Sequence, residues 1–226
     1  MASDFRPPRH LLFGIGAVAL LVHAVSAAPV TGRVEVRTAA GLGAATSVVY
    51  AEPLDRPAPA HPTVSRLVQK DKAFVTPILA ISVGSTIEFP NQDPIFHNVF
   101  SLSPPAPFDL GLYRAGASQK RVFARAGTYR VFCNIHPQMT ASIFVVPTPY
   151  VTTAGADGRY TLDLPAGRYR VTAHSDRSTP VTIEVTIAAG TAAVPDLVLD
   201  ESKYVALPHK NKFGRDYVAT AYDDVR

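Results

Sequence analysis

The stretch Cys133-Asn134-Ile135-His136-Pro137-Gln138-Met139 holds the only cysteine of the 226-residue chain and, besides Met1, its only methionine. The spacing is C-x-x-H-x-x-M. Thiolate, imidazole and thioether are ligand types that copper accepts as it changes oxidation state, and two histidines with one cysteine and a weak axial methionine make an electron-transfer donor set. The second histidine must come from elsewhere, and His97, in Pro94-Ile95-Phe96-His97-Asn98-Val99-Phe100, is the obvious supplier. Taken singly, a buried cysteine is a small hydrophobe and a methionine a gap-filler. Jointly, the sole Cys and sole internal Met six positions apart, with a His between them and another after an Asn/Asp-Pro loop, point to metal. Thioether is a poor zinc donor. Cys–His nucleophilic catalysis lacks an orienting third residue and an oxyanion hole.

Strands must position these side chains. From Thr31 the hydrophobic period is two, with Val34 and Val36 alternating with Arg33, Glu35 and Arg37. The same pattern places Tyr129, Val131 and Cys133 on one face and Arg130 and Phe132 on the other, so Cys133 points with the core residues. Residues 53–62, rich in Pro and Ala, read as an extended surface loop. Pro147-Thr148-Pro149 reads as a domain boundary. Beyond it, Tyr160/Leu162/Leu164, Tyr169/Val171/Ala173 and Val181/Ile183/Val185/Ile187 form a second all-β pattern, separated by turns at Asp157-Gly158, Pro165-Ala166-Gly167 and Ala189-Gly190. Residues 201–226 are polar and poorly patterned, a tail or a segment ordered by docking.

Composition bounds the rest. Hydrophobic residues are 47% of the chain, which excludes global disorder. Residues 28–147 carry 11 Lys/Arg against 7 Asp/Glu, and residues 148–226 carry 9 against 10. No basic run suits nucleic acid, and the mild bias is compatible with an acidic redox partner. Arg6 and Arg9, the apolar residues 11–22 and Val25-Ser26-Ala27 read as a cleavable export signal over residues 1–27. A retained anchor is the competing reading, but the apolar stretch is short and broken by His23. A lone cysteine in an exported chain makes no internal disulfide, and excludes both a two-thiolate copper pair and C-x-x-C-H haem attachment. The remaining histidines (His10, His23, His61, His174 and His209) read as solvated, and nothing places Asp93 beside Asp109.

With these residues in view, 83–146 resembles the cupredoxins. The two-residue gaps of C-x-x-H-x-x-M are similar to the short ligand loop of amicyanin, as are Pro90-Asn91-Gln92-Asp93 and Ala126-Gly127-Thr128-Tyr129 to the family framework. Phe96 to Ser103 and Phe108-Asp109-Leu110-Gly111-Leu112-Tyr113 resemble exported bacterial cupredoxin-domain proteins labelled methylamine utilisation proteins; this chain has no Trp from which to form a quinone cofactor. The resemblance implies equatorial ligands His97, Cys133 and His136 and an axial Met139. It implies that Asn98 ties the two ligand loops together, that Pro137 lies in the partner-docking patch beside His136, and that Phe132 is a second electron port. Asp157-Gly158-Arg159-Tyr160 and Leu164-Pro165-Ala166-Gly167-Arg168-Tyr169 are similar to carboxypeptidase regulatory-like, transthyretin-like sandwiches.

The expectation is an all-β chain: signal peptide 1–27, Greek-key copper sandwich 28–147, smaller β-sandwich 148–200, tail 201–226. It would be a periplasmic type 1 copper protein, no enzyme itself, carrying single electrons between redox proteins such as a c-type cytochrome and a periplasmic dehydrogenase. It would bind no nucleic acid and have no membrane span after cleavage. Two alternatives stand beside it: a copper-sequestering or assembly protein whose metal is cargo, and a surface-binding module whose second sandwich carries the function.

Overall fold

A computed structural model describes residues 27–104, 106–188 and 192–217; the export signal read at the N-terminus falls outside them apart from Ala27. The described residues are all β, with no helix. Accordingly, none of them forms a helix long and apolar enough to cross a membrane.

Two apolar cores organise two sandwiches. The first is built from residues 67–145 alone, with Phe89, Phe123, Tyr129, Ile143 and Leu67 among its fully buried members. One of its sheets has the order Phe108–Tyr113, His97–Ser101, Gly127–Phe132, Thr140–Val146, Ile78–Ser82. The other has Ser118–Val122, Thr86–Pro90 and Val64–Arg66. Gly127–Phe132 and Thr140–Val146 form an antiparallel hairpin in which Phe132 opposes Thr140, which leaves 133–139 as the connecting loop. Phe132 also opposes Phe100 of His97–Ser101, bringing that strand alongside.

The second core joins residues 30–51 to residues 154–199. Val30, Val34, Val36, Val49 and Ala51 pack with Tyr160, Leu162, Leu164, Tyr169, Val171, Leu197 and Leu199. Ala27–Thr38 pairs antiparallel with Arg159–Pro165 and parallel with Leu197–Asp200. Val48–Pro53 lies between Val151–Thr153 and Gly167–His174, and Val181–Ile187 closes that sheet. The reading of one copper unit over 28–147 followed by a separate unit over 148–200 is therefore corrected. Residues 27–53 belong to the C-terminal sandwich, and the first sandwich is inserted between its strands. Alternation along a strand says which side chains are buried, not which strand lies beside it. Gly158 marks the closeness of the join. Its φ is +79° and its carbonyl accepts from the Val34 N–H at 2.8 Å, while a Cβ there would lie 2.2 Å from the Val34 oxygen.

The two sandwiches touch where Phe144 meets the edge of His174, ring centroids 4.9 Å apart. His174 is thus half-buried, where the sequence reading left it solvated. Burial holds its pKa below the usual histidine value, with Asp176 opposing. The sign follows: the unfolded state takes up its proton first as pH falls, so stability is present above the ordinary histidine pKa and is lost as pH drops through the lowered one. Replacing His174 by Phe should flatten this part of the pH dependence. Urea unfolding of both proteins between about pH 7 and pH 5 measures it.

Candidate metal centre

The strand and the hairpin loop converge on three buried donors. Nδ1 of His97 lies 3.8 Å from Sγ of Cys133, Nδ1 of His136 lies 3.7 Å from the same sulfur, and the two nitrogens are 3.1 Å apart. All three residues are buried. His97 opens a strand whose five residues are all buried. Cys133 follows Tyr129 and Val131 on the core face of the hairpin. The loop closes through the Met139 N–H to the His136 carbonyl (3.0 Å) and the Cys133 N–H to the Met139 carbonyl (3.3 Å). Met139 is fully buried in the same core as Cys133.

The outer partner of His97 was not anticipated. Asp93 Oδ2 lies 2.7 Å from Nε2 of His97, and the same carboxylate accepts from the Asp71 N–H (2.6 Å) and the Lys72 N–H (2.9 Å). Asp71 and Lys72 both have φ of +55°. Two consecutive left-handed residues make the tight connection between Gln69–Lys70 and Ala73–Phe74, a conformation unfavourable for residues other than Gly, Asn or Asp. That turn aims two amides at one carboxylate. Burial pushes the Asp93 carboxyl up, but the bonds from Lys72, His97 and Asp71 outweigh it and hold the pKa below the usual carboxylate range. An ionised Asp93 assigns the His97 proton to Nε2 and leaves a lone pair on Nδ1. The signal was present in the sequence as Asp93 four residues before His97, but only the turn at 71–72 reveals its use.

These donors fit a metal. Bonds of about 2.0 Å to nitrogen and about 2.3 Å to sulfur, the lengths zinc shows, would separate three such donors by roughly 3–4 Å. A lone pair on His97 facing the Nδ1 of a second imidazole at 3.1 Å is satisfied either by an N–H of neutral His136 or by a cation held between the two nitrogens. Thiolate with two imidazoles selects a borderline-to-soft ion.

Asn98 is where the carried-over role is corrected. Its side chain donates to Asp109 Oδ1 (2.6 Å) and the Gly111 carbonyl (2.8 Å), so it ties the His97 strand to Phe108–Tyr113 rather than to the 133–139 loop. The short polar side chain finds its partners on the adjacent strand, where Asn98 opposes Leu112. Phe132 and Pro137 are both met by the tail. The ring of His209 stacks on Phe132 (4.0 Å, 20°), and its Nε2 donates to the Pro137 carbonyl (2.6 Å). His209 is therefore half-buried and partnered, not solvated.

No protein-family model matches the chain, and no curated protein matches it. Solved structures do align with part of it. The copper-containing nitrite reductase of Thermus scotoductus SA-01 is 25% identical over 41% of this chain, which spans only 26% of the reductase's length, with a TM-score of 0.35. A purple cupredoxin from Nitrosopumilus maritimus is 21% identical over 36% of this chain and 99% of its own, TM-score 0.33. Amicyanin from Paracoccus versutus matches 43% of this chain and 98% of its own at 23% identity, TM-score 0.34. These structural neighbours are cupredoxins or contain that fold, and at such scores the similarity carries no conclusion about chemistry.

Proposed function

We propose that this chain is a type 1 copper protein that carries single electrons between larger exported redox proteins. His97, Cys133 and His136 would hold the ion, with Met139 as a fourth and weaker donor. The observation that carries the proposal is the triangle of buried donors with sides of 3.1, 3.7 and 3.8 Å. Bound copper supplies a one-electron couple. The chain's own contribution is rigidity: the donors stand on a buried strand and a closed hairpin loop, with His97 oriented by Asp93, so a change of charge demands little movement. Burial keeps bulk water from the sulfur. Electrons pass to proteins such as a c-type cytochrome or a periplasmic dehydrogenase, and the chain works in the periplasm after export.

Addition of Cu(II) to the purified apoprotein should give the intense blue of sulfur-to-copper charge transfer and the EPR spectrum of a thiolate-bound Cu(II). A colourless product would overturn the proposal. A reversible midpoint potential with fast exchange with a cytochrome c separates a carrier from a protein that hands Cu(I) on as cargo.

Asp93 gives a further expected result. Asp93→Asn keeps the shape but loses the charge that accepts from two amides and an imidazole at once. Copper affinity should fall roughly 10- to 100-fold, the usual cost of losing an outer-shell partner. Competition with a chelator of known affinity measures it, and an unchanged constant would remove Asp93 from the site.

A further inference from the structure

We propose that residues 204–217 are an intramolecular cover on the ligand loop, and that a chelator or a protein partner reaches the metal-binding side chains only when this cover lifts. The consequence for electron exchange rests on the copper reading; the cover itself does not. Three residues of the 133–139 loop are held from this one segment. Tyr217 donates its hydroxyl to the Cys133 carbonyl (2.9 Å), the Lys212 N–H donates to Asn134 Oδ1 (3.0 Å), and His209 Nε2 donates to the Pro137 carbonyl (2.6 Å). Lys212 Nζ adds an ion pair to Asp109 Oδ2 at 2.7 Å, on the carboxylate that also holds Asn98. The His209 ring lies flat on Phe132, and Tyr217 meets His209 edge-on at 5.1 Å. The face beside Pro137, where the resemblance placed a docking patch, is thus already an interface.

The attachment is also of a kind that can release. No strand forms in 201–217, so no ladder of backbone bonds holds the segment to either sandwich. Its apolar side chains contribute little anchorage, with Val205, Leu207 and Phe213 exposed at 71%, 76% and 69%. What shape it has is local. Asn211 Oδ1 accepts from the Phe213 and Arg215 N–H groups, and Lys210 pairs with Asp216, so the turn at 211–216 can move as one piece. Segments with few buried contacts and no ladder open at the low end of the stability range. A partner that docks on the loop face must compete with this segment.

The test uses the full-length metal-free protein and the reaction of the sole thiol, Cys133, with iodoacetamide. The double variant His209→Ala/Tyr217→Phe removes the stacked ring and two of the three loop bonds. Its alkylation should be at least ten-fold faster than wild type, while Val205→Ser, which removes no loop contact, should leave the rate unchanged. Equal rates in wild type and double variant would overturn the cover. Should the double variant fail to fold, wild type decides. In urea below the unfolding transition, alkylation should accelerate before the β-sheet circular dichroism is lost, and coincident onset would overturn the proposal. In the copper-loaded protein, removal of Cu(I) by bathocuproine disulfonate should accelerate in the same ratio. A chain that takes up no copper but shows the alkylation difference sinks the copper reading and leaves the cover standing.

Discussion

Cys133→Ala should abolish the blue colour of the copper-loaded protein outright. The sulfur is the one soft anionic donor in the cluster, and no second cysteine exists in the chain to replace it. Without it, two imidazoles and a thioether remain, a set with no thiolate-to-metal transition and no negative charge to offset the ion's own. The loss of affinity should exceed the roughly 10–100-fold expected for a partner such as Asp93, because a bond to the metal is removed rather than a bond to a ligand. Alanine is preferred to serine because Cys133 is fully buried among Val131, Met139 and Ile143. A buried hydroxyl without a partner would add a penalty of about 1–3 kcal/mol unrelated to metal. The apoprotein should therefore stay folded, and thermal melts separate the two effects. Copper should raise the melting temperature of wild type, since a ligand bound only by the folded state stabilises it by mass action. It should leave that of the variant unchanged. Blue colour in the variant would overturn the assignment of the sulfur.

The largest expected effect on folding comes from cutting the chain where its composition suggests a boundary. A fragment of residues 148–200 should be unfolded, by far-ultraviolet circular dichroism and by collapsed amide dispersion in NMR. It lacks Val30, Val34, Val36 and Val49, all with no more than 2% exposure in the second core. At roughly 1.5–3 kcal/mol for each buried valine, that is about 6–12 kcal/mol. A whole domain is stable by only about 5–15 kcal/mol. The loss is also topological. Arg159–Pro165 and Leu197–Asp200 both pair with Ala27–Thr38, and Val48–Pro53 is the strand that joins Val151–Thr153 to Gly167–His174. Without residues 27–53, among the described strands of the fragment only the hairpin of Gly167–His174 and Val181–Ile187 keeps its partner. A hairpin alone is marginal in water. Adding residues 27–62 as a separate peptide should restore strand signal; a fragment folded by itself would refute the interleaved arrangement.

Much of the His97–Cys133–His136 cluster was readable from residue types. The C-x-x-H-x-x-M spacing is local, so His136 necessarily returns close to Cys133 on a seven-residue loop, and period-two alternation placed Cys133 with Tyr129 and Val131. His97 could be nominated because few histidines follow a turn-rich loop at the start of an apolar strand. The same alternation marked Val34, Val36, Tyr160, Leu162 and Leu164 as buried, and they are.

What the chain determined alone was therefore donor chemistry and the buried face of each strand, because both are set by residue identity and by spacings of a few positions. Tertiary structure decided the pairings between distant segments. It placed Ala27–Thr38 against Arg159–Pro165, turned the amides of Asp71 and Lys72 onto Asp93, directed Asn98 to Asp109, and laid His209 and Tyr217 over Phe132 and Cys133. Backbone ladders and single polar contacts between residues 11 to 138 positions apart leave no period in the sequence, since either partner alone is equally at home in water.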